Sequence, residues 1–273
     1  MWGKKNKGMG GEMKNLGLIF LGIFLWISLN ANAQVWKEGK PLYIAHRGAR
    51  ALVDENTIEA LKKAIEIGVD AVEFDIQRTK DGVYVLLHDS TVNRTTNGKG
   101  KIAEMELAEF KKLKTKSGYT LPTLEETLAF LKETEVGIIL DIKVKDPNCI
   151  SEIHSLAEKY GLVERSVFES SYPKVAKAIE EFKPELLSAI YPPWPPSAYH
   201  YAKKYNLDCV SLFYPFANSW EVERAKKAGF KVVVWTVNKP KLIKRFEEKR
   251  KVDGIMTDDP RLFEVNNNCG CRR

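Results

Sequence analysis

Three observations on this 273-residue chain predict an α/β fold, a TIM-type (β/α)8 barrel with a small insertion after the third strand. From residue 42 onward, short β-rich runs alternate with amphipathic stretches. The number of these units suits eight parallel strands, each followed by a helix. No glycine-rich loop follows the first run, which speaks against an open, doubly wound dinucleotide sheet. The length agrees, because one barrel of this kind takes about 250 residues. Hydrophobic residues make up 44% of the chain, enough for a sizeable core.

The strand runs are, in order, LYIAH (42–46), AVEFDIQ (71–77), VYVLLH (83–88), GIILDIKV (137–144), SVFES (166–170), LLSAIY (186–191), CVSLFY (209–214), KVVVWTV (231–237) and GIMT (254–257). Helical patterns lie between most of them, such as NTIEALKKAIEIG (56–68), TLEETLAFLKETE (123–135) and SWEVERAKKAG (219–229). Several open on Asn, Thr or Ser, whose side chains cap helix N-termini, and several close on Gly. Asn56 reads as the cap of the first helix. Nine runs compete for eight places. The odd pair is 71–77 and 83–88, separated by RTKDG, too short for a helical crossover between parallel strands. A hairpin-like irregularity and a crossover without a helix both fit. Residues 89–122, polar and rich in Gly, Lys and Thr, read as an excursion over the C-terminal face of the barrel. The barrel domain is expected over 34–265, followed by a polar tail over 266–273.

The N-terminus reads separately. Met13–Gln34 has a basic start, a 14-residue apolar run from Leu16 to Leu29 and a small-x-small end at Ala31-Asn32-Ala33. This is the pattern of a secretory signal peptide over 1–33, cleaved after Ala33, with Met13 as an alternative start. Export to the periplasm or the exterior follows. A retained anchor is the other reading, although a spanning helix needs about 20 apolar residues. The formal charge is +7, but residues 1–33 carry four lysines against one glutamate, so the remainder is only +4. That mild excess, spread among glutamates, predicts no nucleic-acid partner. The four cysteines are Cys149, Cys209, Cys269 and Cys271. An exported protein permits disulfides, and their spacing matches no zinc site.

The chemistry starts from the alternation of strand side chains between two faces. In AVEFDIQ, Val72, Phe74 and Ile76 share one face, while Glu73, Asp75 and Gln77 share the other. In GIILDIKV, Asp141 and Lys143 share a face. A barrel strand is covered on both sides, so Glu73, Asp75 and Asp141 converge inside. Each buried, unpaired ion costs several kcal/mol. Lys143 and Arg47 supply two compensating charges, and a hard divalent cation with oxygen ligands would supply the rest. Two of the four histidines, His46 and His88, end strand runs, where barrel active sites form. His154 and His200 lie in helical patterns and read as surface or packing residues. Two imidazoles beside a cation and a basic pair suit acid–base attack on a phosphodiester. One would take a proton from the nucleophile and the other would protonate the leaving oxygen, with Arg47 on the phosphate oxygens.

The stretches AHRGA, ENTIEAL, GVDAVEFDIQRTKDGVYVLLHD, LDIK, VVVWTVN and DGIMTDDP resemble the glycerophosphodiester phosphodiesterase family, in its order and over nearly all of residues 42–262. The resemblance implies a TIM-type barrel enzyme that releases glycerol 3-phosphate and an alcohol from deacylated phospholipids such as glycerophosphocholine. It implies one divalent cation, Ca2+ or Mg2+, held by Glu73 and Asp75 with Asp141 as third carboxylate. It also implies His46 and His88 as the acid–base pair, with phosphate held by Arg47 and steadied by Lys143. Trp235 would wall the glycerol pocket. The family usually has Glu where this chain has Asp141, and the shorter reach points to water-mediated ligation or a shifted metal preference. The resemblance further suggests the glycerol 2-hydroxyl as an internal nucleophile that gives a cyclic phosphate.

Other positions carry weaker readings. Glu55 is grouped with the pocket, as a residue able to orient Arg47 from behind. YPPWPPS (191–197) either shapes the site for the leaving alcohol or is a stiff loop. Asp258, in TDDP, reads as a cap or brace. A barrel acting on lysophospholipids at a membrane surface, in the manner of a phospholipase D, is the alternative function, left open by the 191–197 loop and SLFYPF (211–216). A degenerate binding protein on the same barrel predicts damaged site residues, whereas here they are all retained. The alcohol head group, the choice of cation, the acid and base assignment and the oligomeric state are left open.

Overall fold

The computed structural model describes residues 35–36, 39–192 and 195–263. The expected signal peptide with its cleavage point, Pro193 and Trp194 of the 191–197 loop, and the tail with Cys269 and Cys271 lie outside the described residues.

The strands are β1 (Leu42–Ala45), β2 (Ala71–Arg78), β3 (Tyr84–Leu86), β4 (Gly137–Ile142), β5 (Ser166–Ser170), β6 (Leu187–Ile190), β7 (Cys209–Phe213), β8 (Lys231–Trp235) and β9 (Gly254–Thr257). Parallel pairing runs from β2 through β4 and onward in chain order to β9. β1 pairs in parallel with both β9 and β2, so eight strands close into a barrel. β3 is the ninth strand and stands outside the ring. It pairs antiparallel with β2, Ile76 opposite Leu86 and Arg78 opposite Tyr84. The odd pair is therefore a hairpin. The Thr79 hydroxyl accepts from Val83 N–H at 2.9 Å, and Gly82 supplies the positive φ of +88° that the turn needs.

Helices cover the outside of the ring, and their starts are written in the sequence. Thr123 and Glu126 form a reciprocal capping box at the head of Leu124–Leu131. The Asn218 side chain accepts from Glu221 N–H at the head of Ser219–Lys227. Pro173 opens Pro173–Phe182. The first helix, Ile58–Ile67, corrects one expectation: its cap is Thr57, whose hydroxyl accepts from Ala60 N–H at 3.1 Å, not Asn56. Asn56 takes a left-handed conformation, φ +57°, and turns its side chain inward. The helix ends at Gly68 with φ +94°.

The alternation along each strand divides two apolar regions. Val72, Phe74 and Ile76 of β2 face outward and pack with Leu61, Ala64 and Leu128 under the helices. Inside the ring, Trp36, Leu42, Ile44, Ile139, Val167 and Val233 form a separate apolar layer. The same inward faces turn polar toward the strands' C-terminal ends, at Asp75, Asp141 and Glu169. Residues 89–122 fold around a small core of their own, including Val92, Ile102, Phe110 and Leu121. They grip the first loop of the barrel, where Ser117 donates through its backbone N–H and its hydroxyl to the Asp54 carboxylate at 2.9 and 3.0 Å. Cys149 and Cys209 are buried free thiols. Among the described residues, no helix is long and apolar enough to cross a membrane.

Candidate active site

β1 stops at Ala45, and the next three residues turn sharply. Arg47 and Gly48 both have positive φ, +54° and +76°. A Cβ on Gly48 would stand 2.6 Å from the Ala60 carbonyl carbon, so only glycine lets this turn pack against the first helix. The turn is tied to β2: Arg47 N–H donates to Glu73 Oε2 at 2.7 Å, and Gly48 N–H donates to the Glu73 carbonyl at 3.2 Å. The turn thereby presents His46 and Arg47 at the C-terminal mouth.

Both histidines are oriented by carboxylates. His46 Nδ1 lies 2.7 Å from Asp258 Oδ1, in the loop after β9. His88 Nδ1 lies 2.7 Å from Oδ1 of the adjacent Asp89, and Gln77 Nε2 donates to the His88 carbonyl at 3.1 Å. In each ring the other nitrogen, Nε2, is left for chemistry. His46, Arg47, Glu73, His88, Asp141, Lys143 and Trp235 line a single cavity, with Glu169, Tyr191 and Met256.

The three sequence-predicted carboxylates meet there. Glu73 and Asp75 are two apart on β2, and Asp75 is in register with Asp141 of β4. One oxygen from each lies within 4.8 Å of the others. All three are buried. Lys143 Nζ sits 2.7 Å from Asp141 Oδ2 and 3.0 Å from Asp75 Oδ1, and Arg47 Nε sits 3.2 Å from Asp75 Oδ2. The Tyr191 hydroxyl donates to Asp141 Oδ1 and accepts from Lys143, both at 2.6 Å. Asn56 clasps Asp75 from behind: its Nδ2 donates to Oδ2 at 2.8 Å and its Oδ1 accepts from Asp75 N–H at 3.0 Å.

The electrostatics follow from this crowding. Burial, with Asp75 and Asp141 nearby, pushes Glu73 well above the usual carboxylate range. Burial also raises Asp75, but Lys143 and Arg47 more than offset it, and its carboxyl lies below the usual range. Burial and the Asp75 charge raise Asp141 against the pull of Lys143. Burial would lower Lys143, yet Asp141 and Asp75 hold it firmly protonated. Burial and the Arg47 charge hold His46 below the usual imidazole value, so this ring favours its neutral form, although its bond to Asp258 opposes them.

A hard divalent cation fits this donor set. All the donors are carboxylate oxygens. Glu73 holds one oxygen against Arg47 N–H, while its other oxygen, Oε1, is buried without a hydrogen-bond partner. The crowding of like charges that raises Glu73 and Asp141 is what a bound cation would relieve. Glu73, Asp75 and Asp141 are the residues that would hold the ion.

The remaining predicted residues fall around this centre. Trp235 ends β8 and stands edge-on to Tyr191, ring centroids 5.7 Å apart. Glu55 stands behind Arg47, accepting from its Nη1 at 2.9 Å. Sequence reasoning missed three neighbours, Asp89, Tyr191 and Glu169, while Asn56 serves Asp75 instead of the helix and the brace expected at Asp258 falls on His46. Asp89 directly follows His88, and Glu169 falls on the inward face of SVFES by alternation, so both had a signal. Glu169 is buried beside Asp141 and pushed up to about 8 by burial and then by the Asp141 charge.

Comparison with known proteins places the chain. The profile of the Glycerophosphoryl diester phosphodiesterase family matches residues 46–262. The chain is 34% identical over 232 residues to a glycerophosphodiester phosphodiesterase of Caldanaerobacter subterraneus subsp. tengcongensis, covering 81% of this chain and 95% of that protein. Its structure is similar to that of a glycerophosphodiester phosphodiesterase from Parabacteroides distasonis (TM-score 0.73, 26% identity, 82% of this chain and 95% of that chain). It is also similar to an Oleispira antarctica phosphodiesterase in complex with its product sn-glycerol-3-phosphate (TM-score 0.72, 26% identity, 81% of this chain and 94% of that chain).

Proposed function

The chain belongs to the glycerophosphoryl diester phosphodiesterase family, and on that premise we propose that it hydrolyses glycerophosphodiesters to glycerol 3-phosphate and an alcohol by cation-dependent, two-histidine acid–base catalysis. The observation that carries this reading is the convergence of His46, His88, Arg47, Lys143 and the carboxylate triad on one cavity at the barrel mouth.

Glu73, Asp75 and Asp141 would hold a divalent ion, Ca2+ or Mg2+, which when bound would supply positive charge toward the phosphoryl oxygens. Arg47, fixed by Glu55 and Asp75, offers Nη2 to a phosphate oxygen. Lys143 stands ready for the negative charge that develops on phosphorus-bound oxygen in the transition state. The glycerol 2-hydroxyl is the nucleophile. Its oxygen forms a bond to phosphorus as the bond to the leaving alcohol breaks. The hydroxyl proton passes to Nε2 of one histidine, and Nε2 of the other gives a proton to the departing alkoxide. Water then opens the cyclic phosphate with the two rings in exchanged roles. Asp258 and Asp89, each on Nδ1, hold the rings in the required tautomer and orientation. Trp235 and Tyr191 form an aromatic wall against which the glycerol carbons pack.

A second reading has an observation of its own. Phe213 and Phe216, at the end of β7, are 39% and 44% exposed, and Phe213 packs on Trp235 of the cavity at 5.4 Å. This exposed aromatic rim beside the mouth suits an acyl chain, and so supports lysophospholipids at a membrane surface as alternative substrates. The pattern over residues 13–33 supports export, and on that reading either reaction would take place outside the cytoplasm.

The test compares three diesters in one assay: glycerophosphocholine, an analogue lacking the 2-hydroxyl, and lysophosphatidylcholine. Turnover of the first, with the second inert, is the expected result. Turnover of the analogue removes the internal nucleophile, and preference for the long-chain substrate favours the lipid reading.

A further inference from the structure

We propose that Arg94, in the insertion over residues 89–122, is a positioning residue that couples the phosphate-binding Arg47 to the acid–base residue His88. This rests on the hydrolytic reading of the site given above.

Arg94 spreads its guanidinium over two carboxylates. Nε donates to Asp89 Oδ2 at 2.6 Å, while Nη1 and Nη2 donate to Glu55 Oε2 and Oε1 at 3.0 and 2.7 Å. Each carboxylate has a second task at the cavity. Glu55 Oε1 also receives Arg47 Nη1, and Asp89 Oδ1 also faces His88 Nδ1. The result is an unbroken run, Arg47–Glu55–Arg94–Asp89–His88, in which basic and acidic side chains alternate and which joins the first loop of the barrel to the hairpin side. Arg50 extends it more loosely, with Nη2 3.4 Å from Glu55 and Nε 3.6 Å from Asp258, the partner of His46.

An exposed ion pair commonly contributes little, and a solvated surface arginine is the plain alternative. Three features set Arg94 apart from it. The pairing with Glu55 is bidentate, and that with Asp89 is direct, a geometry that fixes angles as well as distance. Glu55 is only 10% exposed at its side chain, although Arg94 itself is 44% exposed. And both partners lean on groups that line the cavity. Without Arg94, the remaining partners among the described residues are Arg47 and Arg50 for Glu55, and for Asp89 His88, an imidazole 35% exposed at the mouth. Both active groups then sample more orientations. The insertion therefore acts as part of the catalytic frame. Its second grip, Ser117 on Asp54, falls on the residue beside Glu55 and fixes the same loop.

The test measures steady-state hydrolysis of glycerophosphocholine with saturating cation by the full chain and by Arg94→Ala, Arg94→Lys and Glu55→Gln/Asp89→Asn, the last with and without Arg94→Ala. Melting temperatures are recorded for all of them. The expected loss in kcat for Arg94→Ala is about 10- to 100-fold, the scale of a misplaced catalytic group, with a smaller change in KM. Arg94→Lys recovers only part, because one ammonium cannot fork to both carboxylates. In the doubly altered background Arg94→Ala costs less than about twofold, because nothing remains for it to position. An unchanged kcat, full recovery by lysine, or an equal loss in both backgrounds overturns the inference. If the unaltered chain releases no glycerol 3-phosphate, the hydrolytic reading falls first and the inference with it. If the chain is active and Arg94→Ala matches it, the inference alone falls.

Discussion

His46 Nδ1 lies 2.7 Å from Asp258 Oδ1, a contact between residues 212 positions apart that only the closure of β1 onto β9 creates. Asp258 is itself held, with Oδ2 accepting from Asn238 Nδ2 at 2.7 Å. The carboxylate fixes the imidazole rather than serving as a proton donor, since burial is outweighed by its bond to His46 and its carboxyl lies below the usual range. His46→Ala should therefore lower kcat by about 10²–10⁴-fold, the usual worth of a positioned acid or base. Asp258→Asn should give a smaller loss of at least about tenfold, with KM little changed, because it disturbs tautomer and orientation but leaves the ring in place. Initial-rate kinetics on the two variants checks the ordering.

Glu73 is pushed up by burial among like charges, so it opposes folding when no cation is present. Glu73→Gln should raise the melting temperature of the chelator-treated protein. In the unaltered chain, cation at about 100 times its dissociation constant should add about 2.7 kcal/mol, or roughly 5–10 °C in a chain of this size. That cation-induced shift should vanish in Glu73→Gln. Thermal melts with and without calcium or magnesium read both effects.

Asn56 is wholly buried, and it satisfies both the Asp75 carboxylate and the Asp75 N–H. Asn56→Ala strands both groups and should destabilise the fold by about 1–3 kcal/mol, the cost of unsatisfied buried partners. It places alanine at positive φ as well, which adds to the loss. Asn56→Asp should be worse still, because it sets a second carboxylate against Asp75. Urea unfolding of the three proteins gives the comparison.

Glu55 titrates at about 2 against a usual 4.5: burial opposes its charge, but Arg94, Arg47 and Arg50 overcome it. Its folded value is depressed, so its contribution to stability is present above about pH 4.5 and is lost as pH falls through about 2. Glu55→Gln should flatten the acid limb of the stability profile between those values and lower stability at neutral pH. Melting temperatures across pH 2–7 measure the difference.

The sequence carried most of the barrel and much of the site, for definable reasons. Alternation in AVEFDIQ and GIILDIKV separated inward carboxylates from outward apolar residues, and the structure has that same division. SVFES and GIMT match β5 and β9 residue for residue. The hairpin of β2 and β3 was legible only as an irregularity, because five intervening residues exclude a helix without choosing a geometry. Asn56 was misread because NTIEAL offers two adjacent capping residues, and the left-handed turn that hands the cap to Thr57 has no local signature. Asp258 was read as a brace, yet what it braces depends on barrel closure. Tyr191 and Arg94 sit in segments whose polar or aromatic character says little until the strands bring them to Asp141 and Glu55.

The most direct measurement of the central claim is glycerol 3-phosphate release from glycerophosphocholine by chelator-treated protein, before and after adding back calcium or magnesium, beside Glu73→Gln. Release should be absent after chelation, return with one of the two cations, and not return in the variant. Undiminished release by the chelated protein would contradict that claim.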